Sequence, residues 1–278
     1  MSSWNKLLQD ANPRGHLVQL YKSDERLLIR NVAEYISAGL SRGQSLLVIA
    51  TQEHSQAAFL RLEHEGVDVQ TATHNGRLLI VDAVEAVDRS LENGRPDWSR
   101  FDDVVGTLIR QIAARPDYSG LRVHTEMAGV LWKKGFDVAA IQLERFWNNL
   151  LASQAFSLFC AYPIDVFDQQ FQISTLDALL CSHTHLLPTG VTGQLENAIN
   201  RAMEEVLGPR VNDLKLLIKA NYRPSWAVLP RAEAIVLWIR NNLPDDANAI
   251  LTRARRYYRP GEAPAPLAAD AATNSPLD

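Results

Sequence analysis

The chain has 278 residues, 46% of them hydrophobic, and a formal net charge of −4. That is enough apolar material for one core of ordinary size plus a smaller unit. It excludes a largely disordered chain, and it excludes a protein drawn to nucleic acid or anionic membrane by its overall charge.

The opening stretch MSSWNKLLQDANPRG reads as an N-terminal extension over residues 1–14. It has no apolar run long enough for a signal peptide, so the expected location is cytoplasmic. The two cysteines, Cys160 and Cys181, lie in apolar surroundings that fit buried free thiols in a reducing compartment. No stretch approaches the roughly 20 apolar residues of a membrane span.

HLVQLY (16–21) is the first buried strand, and Glu25 opens the first helix, with Leu28, Val32, Tyr35, Ile36 and Leu40 on one stripe. The loop between them is Lys22-Ser23-Asp24. A phosphate-binding loop at such a junction needs glycines, so that backbone N–H groups can wrap the anion. Here there is none, and Asp24 and Glu25 add two carboxylates. Ser23 is expected to cap the helix.

SLLVIAT (45–51) is the second strand, with Thr51 capping a helix over 53–65 whose stripe is Ala57, Leu60 and His64. RLLIVDA (77–83) is the third strand. A helix over 99–114 follows, with Val104, Val105, Leu108 and Ile112 inward and a capping box from Ser99 to Asp102. LRVHTEM (121–127) and FSLFCAYP (156–163) are strands on either side of a helix over 137–152, which carries Ala140, Leu143, Phe146, Trp147 and Leu150. Gly66 and Gly120 stand where a helix should stop before the next strand.

Strand–helix alternation with apolar strands predicts an α/β fold with a mainly parallel sheet flanked by helices over residues 15–190. From about Thr192 the pattern is helix only: QLENAINRAMEEVL, VNDLKLLIKANY, PRAEAIVLWIRNNL and DDANAILTRARRYY, with breaks at Gly208-Pro209, Arg223-Pro224 and Leu243-Pro244. These form a small all-α C-terminal unit over 191–260. The Ala/Pro-rich tail, 261–278, is expected to be disordered. Residues 193–260 hold 11 Lys/Arg against 7 Asp/Glu, a modest basic bias read as a solvated helical face.

In order and spacing, HLVQLYKSDERLL, AGLSRGQSLLVIATQEH, LEHEGVDV, GRLLIVDA, LRVHTEMAGVLW, LERFWNNL and FSLFCAYP resemble the MEDS family. That family is the sensory domain first described in methanogens and methylotrophs and in the dichloromethane-dehalogenase repressor. The likeness runs from about Gly15 to Pro188, and LCSHTHLLP resembles the way such domains end. Glu144 and Trp147 match its LE..W signature. The resemblance implies a RecA/KaiC-like fold and a sensory role toward small hydrocarbon derivatives or other ligands. The chain departs from the pattern at Thr125, where the family usually has the glycine of a Gly-Glu-Met triplet. The repressor relatives carry a helix-turn-helix. None is evident before residue 16, so a different output module is expected.

In a RecA-like frame, Tyr21, Lys22 and Ser23 stand where a phosphate loop would be. Without a glycine-built nest Lys22 is one flexible cation. Nucleotide hydrolysis is not expected, and an uncharged or cationic group is favoured over an anion. Arg122, His124 and Glu126 share one face of their strand. Three polar residues on a strand covered on both faces must be paired, or must bind something. Glu126 near the strand's C-terminus is the candidate ligand group, oriented by His124 or Arg122; a buried ion pair, or a strand lying at a sheet margin, is the alternative.

Trp132 is the candidate apolar wall, in a loop expected to cross the strand ends. Tyr162 is expected to point its hydroxyl into the same cleft, with Cys160 on the same side of its strand. CSHTH (181–185) offers Cys181 and His185 at i and i+4 of a helix, with His183 facing elsewhere. Further ligands are not evident, so no metal or other cofactor is expected. His16, His54, His64 and His74 read as surface or helix-end residues.

The expected protein is therefore a cytoplasmic regulator and not an enzyme. It would bind a small molecule, apolar or halogenated hydrocarbon derivatives included, or a regulatory protein, and would signal through its helical unit. The alternatives are a DNA-binding regulator acting through residues 193–260, a protein-interaction scaffold and a degenerate ATPase. RARRYYR (253–259) combines arginine with tyrosine, but a face that docks a partner or a second copy of the chain is expected over nucleic-acid contact.

Overall fold

The computed structural model describes residues 3–169, 171–191, 193–214 and 228–259. A six-stranded parallel sheet forms its centre: β1 (His16–Leu20), β2 (Ser45–Ala50), β3 (Leu78–Asp82), β6 (Leu121–Thr125), β7 (Ser157–Tyr162) and β8 (His185–Leu186). The strand order is β3-β2-β6-β7-β1-β8. A two-residue hairpin, β4 (Leu91–Glu92) with β5 (Arg95–Pro96), stands apart from it.

Each of the five apolar runs read as strands is one of these strands. Alternate residues enter different cores, as the two-residue period of a strand requires. Leu46, Val48, Phe159 and Ala161 join the core under α1 (Ser3–Gln9), α2 (Glu25–Ser41), α3 (Gln52–His64) and α4 (Val69–His74). Leu47, Ile49, Leu158, Cys160 and Tyr162 join the core on the other face. Helices α5 (Ala83–Arg89), α7 (Thr107–Ala113), α8 (Met127–Lys133), α9 (Asp137–Ser153) and α10 (Ile173–Leu180) cover that second face, together with a short α6 (Trp98–Phe101). A π-helical turn, Asp102–Gly106, joins α6 to α7.

The helix-only region gives α11 (Gln194–Leu207), α12 (Arg231–Asn242) and α13 (Pro244–Tyr257). Gly208, at φ +55°, ends α11, and Pro244 opens α13 at the expected break. All three helices place side chains in the core of the second sheet face, among them Leu195, Ile199, Met203, Val236, Ile239 and Ile250. The expected helix over VNDLKLLIKANY passes outside the described residues after Leu214. The Arg223-Pro224 break and the tail 261–278 also lie outside them. Among the described residues, no helix is long and apolar enough to cross a membrane.

Several local expectations are corrected. Helix α2 is capped by Asp24, which accepts from Leu27 N at 3.1 Å, and not by Ser23. Asp97 caps α6 in place of Ser99, because its carboxylate reaches Arg100 N at 3.0 Å while Asp102 is taken up by Arg110. Thr51 does cap α3, but the buried stripe is His54, Ser55, Ala58 and Leu62; Leu60 is 68% exposed and His64 is exposed. The helix is turned so that His54 enters the interior. Helix α10 stops at Leu180, so Cys181 and His185 do not share a helix: Cys181 is exposed and His185 begins β8. His16 and His54 are both buried, contrary to the surface reading.

Candidate functional site

With every sheet strand parallel, the loops after β1, β2 and β6 open on the same edge. The connections from β1 and β2 run toward β3, and those from β6 and β7 run toward β8, so this edge includes the point where the sheet's direction of travel reverses. Ligands of open α/β sheets sit at such a point.

Glu126 is the centre of this edge. Its backbone extends the ladder past β6, with N–H donating to Ile49 O at 2.9 Å, and its carboxylate is 2% exposed. One oxygen accepts from the backbone N–H of Thr51 at 3.0 Å. The other lies 2.7 Å from His54 Nδ1 and 3.6 Å from His124 Nε2. His54 Nε2 lies 2.8 Å from Glu25 Oε1, and the Glu25 side chain is 57% exposed. The ring of Tyr21 meets the His54 ring edge to face at 5.2 Å. A line of ionisable groups therefore runs from solvent at Glu25, through His54, to buried Glu126.

The charges follow from these partners. Burial on its own would lower the pKa of His54, but the carboxylates of Glu126 and then Glu25 outweigh it and raise it to about 9. With a carboxylate at each ring nitrogen, both nitrogens donate and the ring is an imidazolium. Burial would raise Glu126, but His124 and His54 outweigh it and hold the carboxyl at about 2. Burial, reinforced by Glu126 and Glu25, raises the Tyr21 phenol, which stays protonated and can donate.

Of the residues singled out in the sequence, the structure brings Tyr21, His124 and Glu126 together. Arg122, His124 and Glu126 do share a face, but Arg122 points to the opposite end of the strand. Its guanidinium donates to Leu8 O (2.5 Å), Gln9 O (2.7 Å), Tyr35 O (3.2 Å) and Gln44 Oε1 (2.7 Å). It fastens α1 to the sheet and does not orient Glu126. Lys22 is exposed, 3.6 Å from Asp168. Ser23 Oγ donates to Asp165 Oδ1 at 3.0 Å and accepts from Val166 N at 3.0 Å, so it ties the loop after β1 to the loop after β7.

Trp132 lies in helix α8 and is buried, packed edge to face on Tyr162 at 5.8 Å. It is part of the second-face core and does not line a loop. The Tyr162 hydroxyl donates to Glu144 within that same core, away from Glu126. A side chain two places from Cys160 on β7 must face the way Cys160 does, and that is the face opposite α2.

The C-terminal helices reach this edge. Arg255 pairs with Asp165 and, at 3.1 Å, with Asp168. Arg240 donates to Phe167 O (2.8 Å) and Asp168 O (2.7 Å). Buried Glu233 accepts from the N–H and the hydroxyl of Thr189 at 2.6 and 2.8 Å. Thus Arg255, read in the sequence as part of an outward basic stretch, is turned toward the loop after β7.

His54 reads as a surface or helix-end residue because a histidine in the first turn of a helix has that pattern, and nothing local marks it as interior. Glu144 left a clearer signal: it stands on the buried stripe of α9 among Ala140, Leu143, Trp147 and Leu151, where an unpaired carboxylate is not tolerated.

A family model described as MEDS, the MEthanogen/methylotroph, DcmR Sensory domain, matches residues 15–184. No curated protein matches the chain.

Proposed function

The chain belongs to the MEDS family of sensory domains, and from that premise we propose that it is a cytoplasmic signal-sensing protein that binds a small molecule beside Glu126 and Tyr21 and turns over no substrate. The C-terminal helices carry the signal to a regulatory partner. One observation supports this reading above the others: the loop after β1 belongs to both parts. Tyr21 meets the Glu126-bound His54 edge to face, and Ser23, two residues on, holds Asp165, the carboxylate that Arg255 of α13 grips. A molecule that moved Tyr21 would pull on α13 through three residues of backbone. It must bind one arrangement better than the other to do so.

The chemistry of the ligand follows from the lining. Asp24, Glu25 and Glu126 oppose an anion, and no glycine nest is present to offset them. A short alcohol or similar hydrocarbon derivative could accept a hydrogen bond from the Tyr21 hydroxyl, and an alkylammonium could donate one to Glu126. Because Arg255 is drawn onto Asp165 and Asp168, docking of a partner on the helical unit is favoured over duplex contact by residues 253–259.

Thermal-shift measurements with short alcohols, alkylamines, dichloromethane and Mg-ATP test this. An alcohol, amine or halogenated hydrocarbon should raise the melting temperature of the wild type and not that of Glu126→Gln. If none stabilises the wild type more than the variant, the site is wrong. ATP turnover abolished by Lys22→Ala would replace the sensor with an enzyme.

A further inference from the structure

On the second face of the sheet, away from Glu126, four side chains from four separate segments meet in the interior: His16 on β1, Glu144 on α9, Cys160 on β7 and His183 in the loop between α10 and β8. Each is at most 3% exposed. One donor atom from each lies within 4.8 Å of all the others. His16 Nε2 is 3.2 Å from Cys160 Sγ and 3.3 Å from Glu144 Oε2. His183 Nε2 is 3.6 Å, and Cys160 Sγ 3.8 Å, from Glu144 Oε2. A tetrahedron with zinc–ligand bonds of about 2.0–2.3 Å has edges of about 3.3–3.7 Å. Four of the six separations, 3.2 to 3.8 Å, bracket that range, and the two between His183 and His16 or Cys160 lie within 4.8 Å.

Hydrogen bonding within the protein leaves the cluster incomplete. His183 donates Nδ1–H to Leu179 O at 2.9 Å, so Nε2 carries a lone pair. That nitrogen is buried without a hydrogen-bond partner, and it faces a carboxylate oxygen. Two electron-rich atoms opposed in a dry interior repel each other, and the orphaned acceptor costs free energy that nothing nearby offsets. His16 repeats the arrangement: Nδ1 is 3.1 Å from Asn148 Oδ1, one helical turn beyond Glu144, and Nε2 is directed at the same centre. The outer nitrogens are held by a carbonyl and an amide, and the inner nitrogens, a thiol and a carboxylate converge, which is how metal-ligating histidines are oriented. Tyr162 holds the outer oxygen of Glu144 in the same way.

We propose that His16, Glu144, Cys160 and His183 form a closed structural site for a zinc-class divalent metal. A thiolate, two imidazoles and a carboxylate select zinc over magnesium or calcium. Two neutral imidazoles with one thiolate and one carboxylate balance a 2+ ion to zero net charge, the least costly state in a dry interior. In metal uptake a metal–sulfur bond replaces the S–H bond of Cys160, and the proton leaves to solvent. With four protein ligands there is no open position, so the metal's role is to fasten β1, β7, α9 and the start of β8 together. Thr184 already pins the His183 loop to β1, donating from its N–H to His16 O at 2.7 Å.

The test uses the full chain without a histidine tag, unfolded in chelator and refolded with Co²⁺ as the probe. The expected result is about one cobalt per chain, with the visible bands of four-coordinate cobalt and a near-ultraviolet thiolate band. Cys160→Ser, close to the native shape, should fold with a native circular dichroism spectrum and lose the thiolate band. Asn148→Ala, which removes only an orienting group, should weaken cobalt binding by about 10- to 100-fold. A wild type that refolds fully without taking up cobalt overturns the proposal. So does cobalt bound equally well by Cys160→Ser and His183→Gln, since the metal would then lie elsewhere.

Discussion

The hydroxyl of Tyr258 donates a hydrogen bond of 3.1 Å to Oδ2 of Asp24, joining the residue that closes α13 to the residue that opens α2. Both are buried. The same hydroxyl accepts from Val191 N at 3.3 Å. Tyr258→Phe keeps the ring and removes both bonds, leaving a buried carboxylate oxygen one donor short. We expect a loss of about 1–2 kcal/mol in urea unfolding. Faster amide exchange should appear together at residues 21–28 and in α13. Asp24→Ala should cost about 1 kcal/mol more, because the cap on Leu27 N is lost as well.

Glu126 and His54 make stability depend on pH in opposite directions. The His54 pKa is raised from 6.5 to about 9, so its contribution is complete below about 6.5 and is lost as pH rises through 9. The Glu126 pKa is lowered from 4.5 to about 2, so its contribution is present above about 4.5 and is lost as pH falls toward 2. Both are fully present only between about pH 4.5 and 6.5. The gap in unfolding free energy between wild type and His54→Gln should be widest in that window and shrink toward pH 9. A gap that stays constant to pH 9 would contradict the imidazolium assignment.

Gly129 in α8 is held by close approach. A Cβ added there would stand 2.4 Å from the backbone oxygen of Ala161 on β7, which cannot swing aside. Gly129→Ala should therefore destabilise by about 1–3 kcal/mol, although alanine is the better helix former. Because α8 begins at the residue after Glu126, the ligand-induced thermal shift should fall with it.

Arg122→Met removes the four hydrogen bonds that hold the end of α1, Gln44 and the α2 backbone. Methionine fills part of the space but leaves the carbonyls of Leu8 and Gln9, at the end of α1, without the guanidinium donor, while Tyr35 O keeps its bond within α2. We expect a loss of about 2–3 kcal/mol. Protease cleavage should begin around residues 3–12, while the pH profile set by Glu126 and His54 should not change.

The sheet was legible because four of the five apolar runs read as strands are buried along their whole length, and the fifth, β3, is the edge strand, with Ile80 and Asp82 exposed. Elements too short for a period to show were not. Helix α4 is VQTATH, six residues with three β-branched side chains, and it depends on Asp68 accepting from Thr71 N at 2.8 Å. Strand β8 has two residues and exists because β1 is beside it. Alternation along LRVHTEM gave the shared face of Arg122, His124 and Glu126. It could not show that the strand's length carries Arg122 to the far end, nor that β2 would bring His54 alongside. Partners contributed by other strands are fixed by strand order, which no local window contains.

Asp165 is held from both sides, by Ser23 of the β1 loop and by Arg255 of the final helix. A single carboxylate thus latches the final helix to the loop that carries Tyr21. Asp165→Asn would loosen that latch: in the proposed sensor a molecule beside Glu126 would still be held, and α13 would no longer follow it.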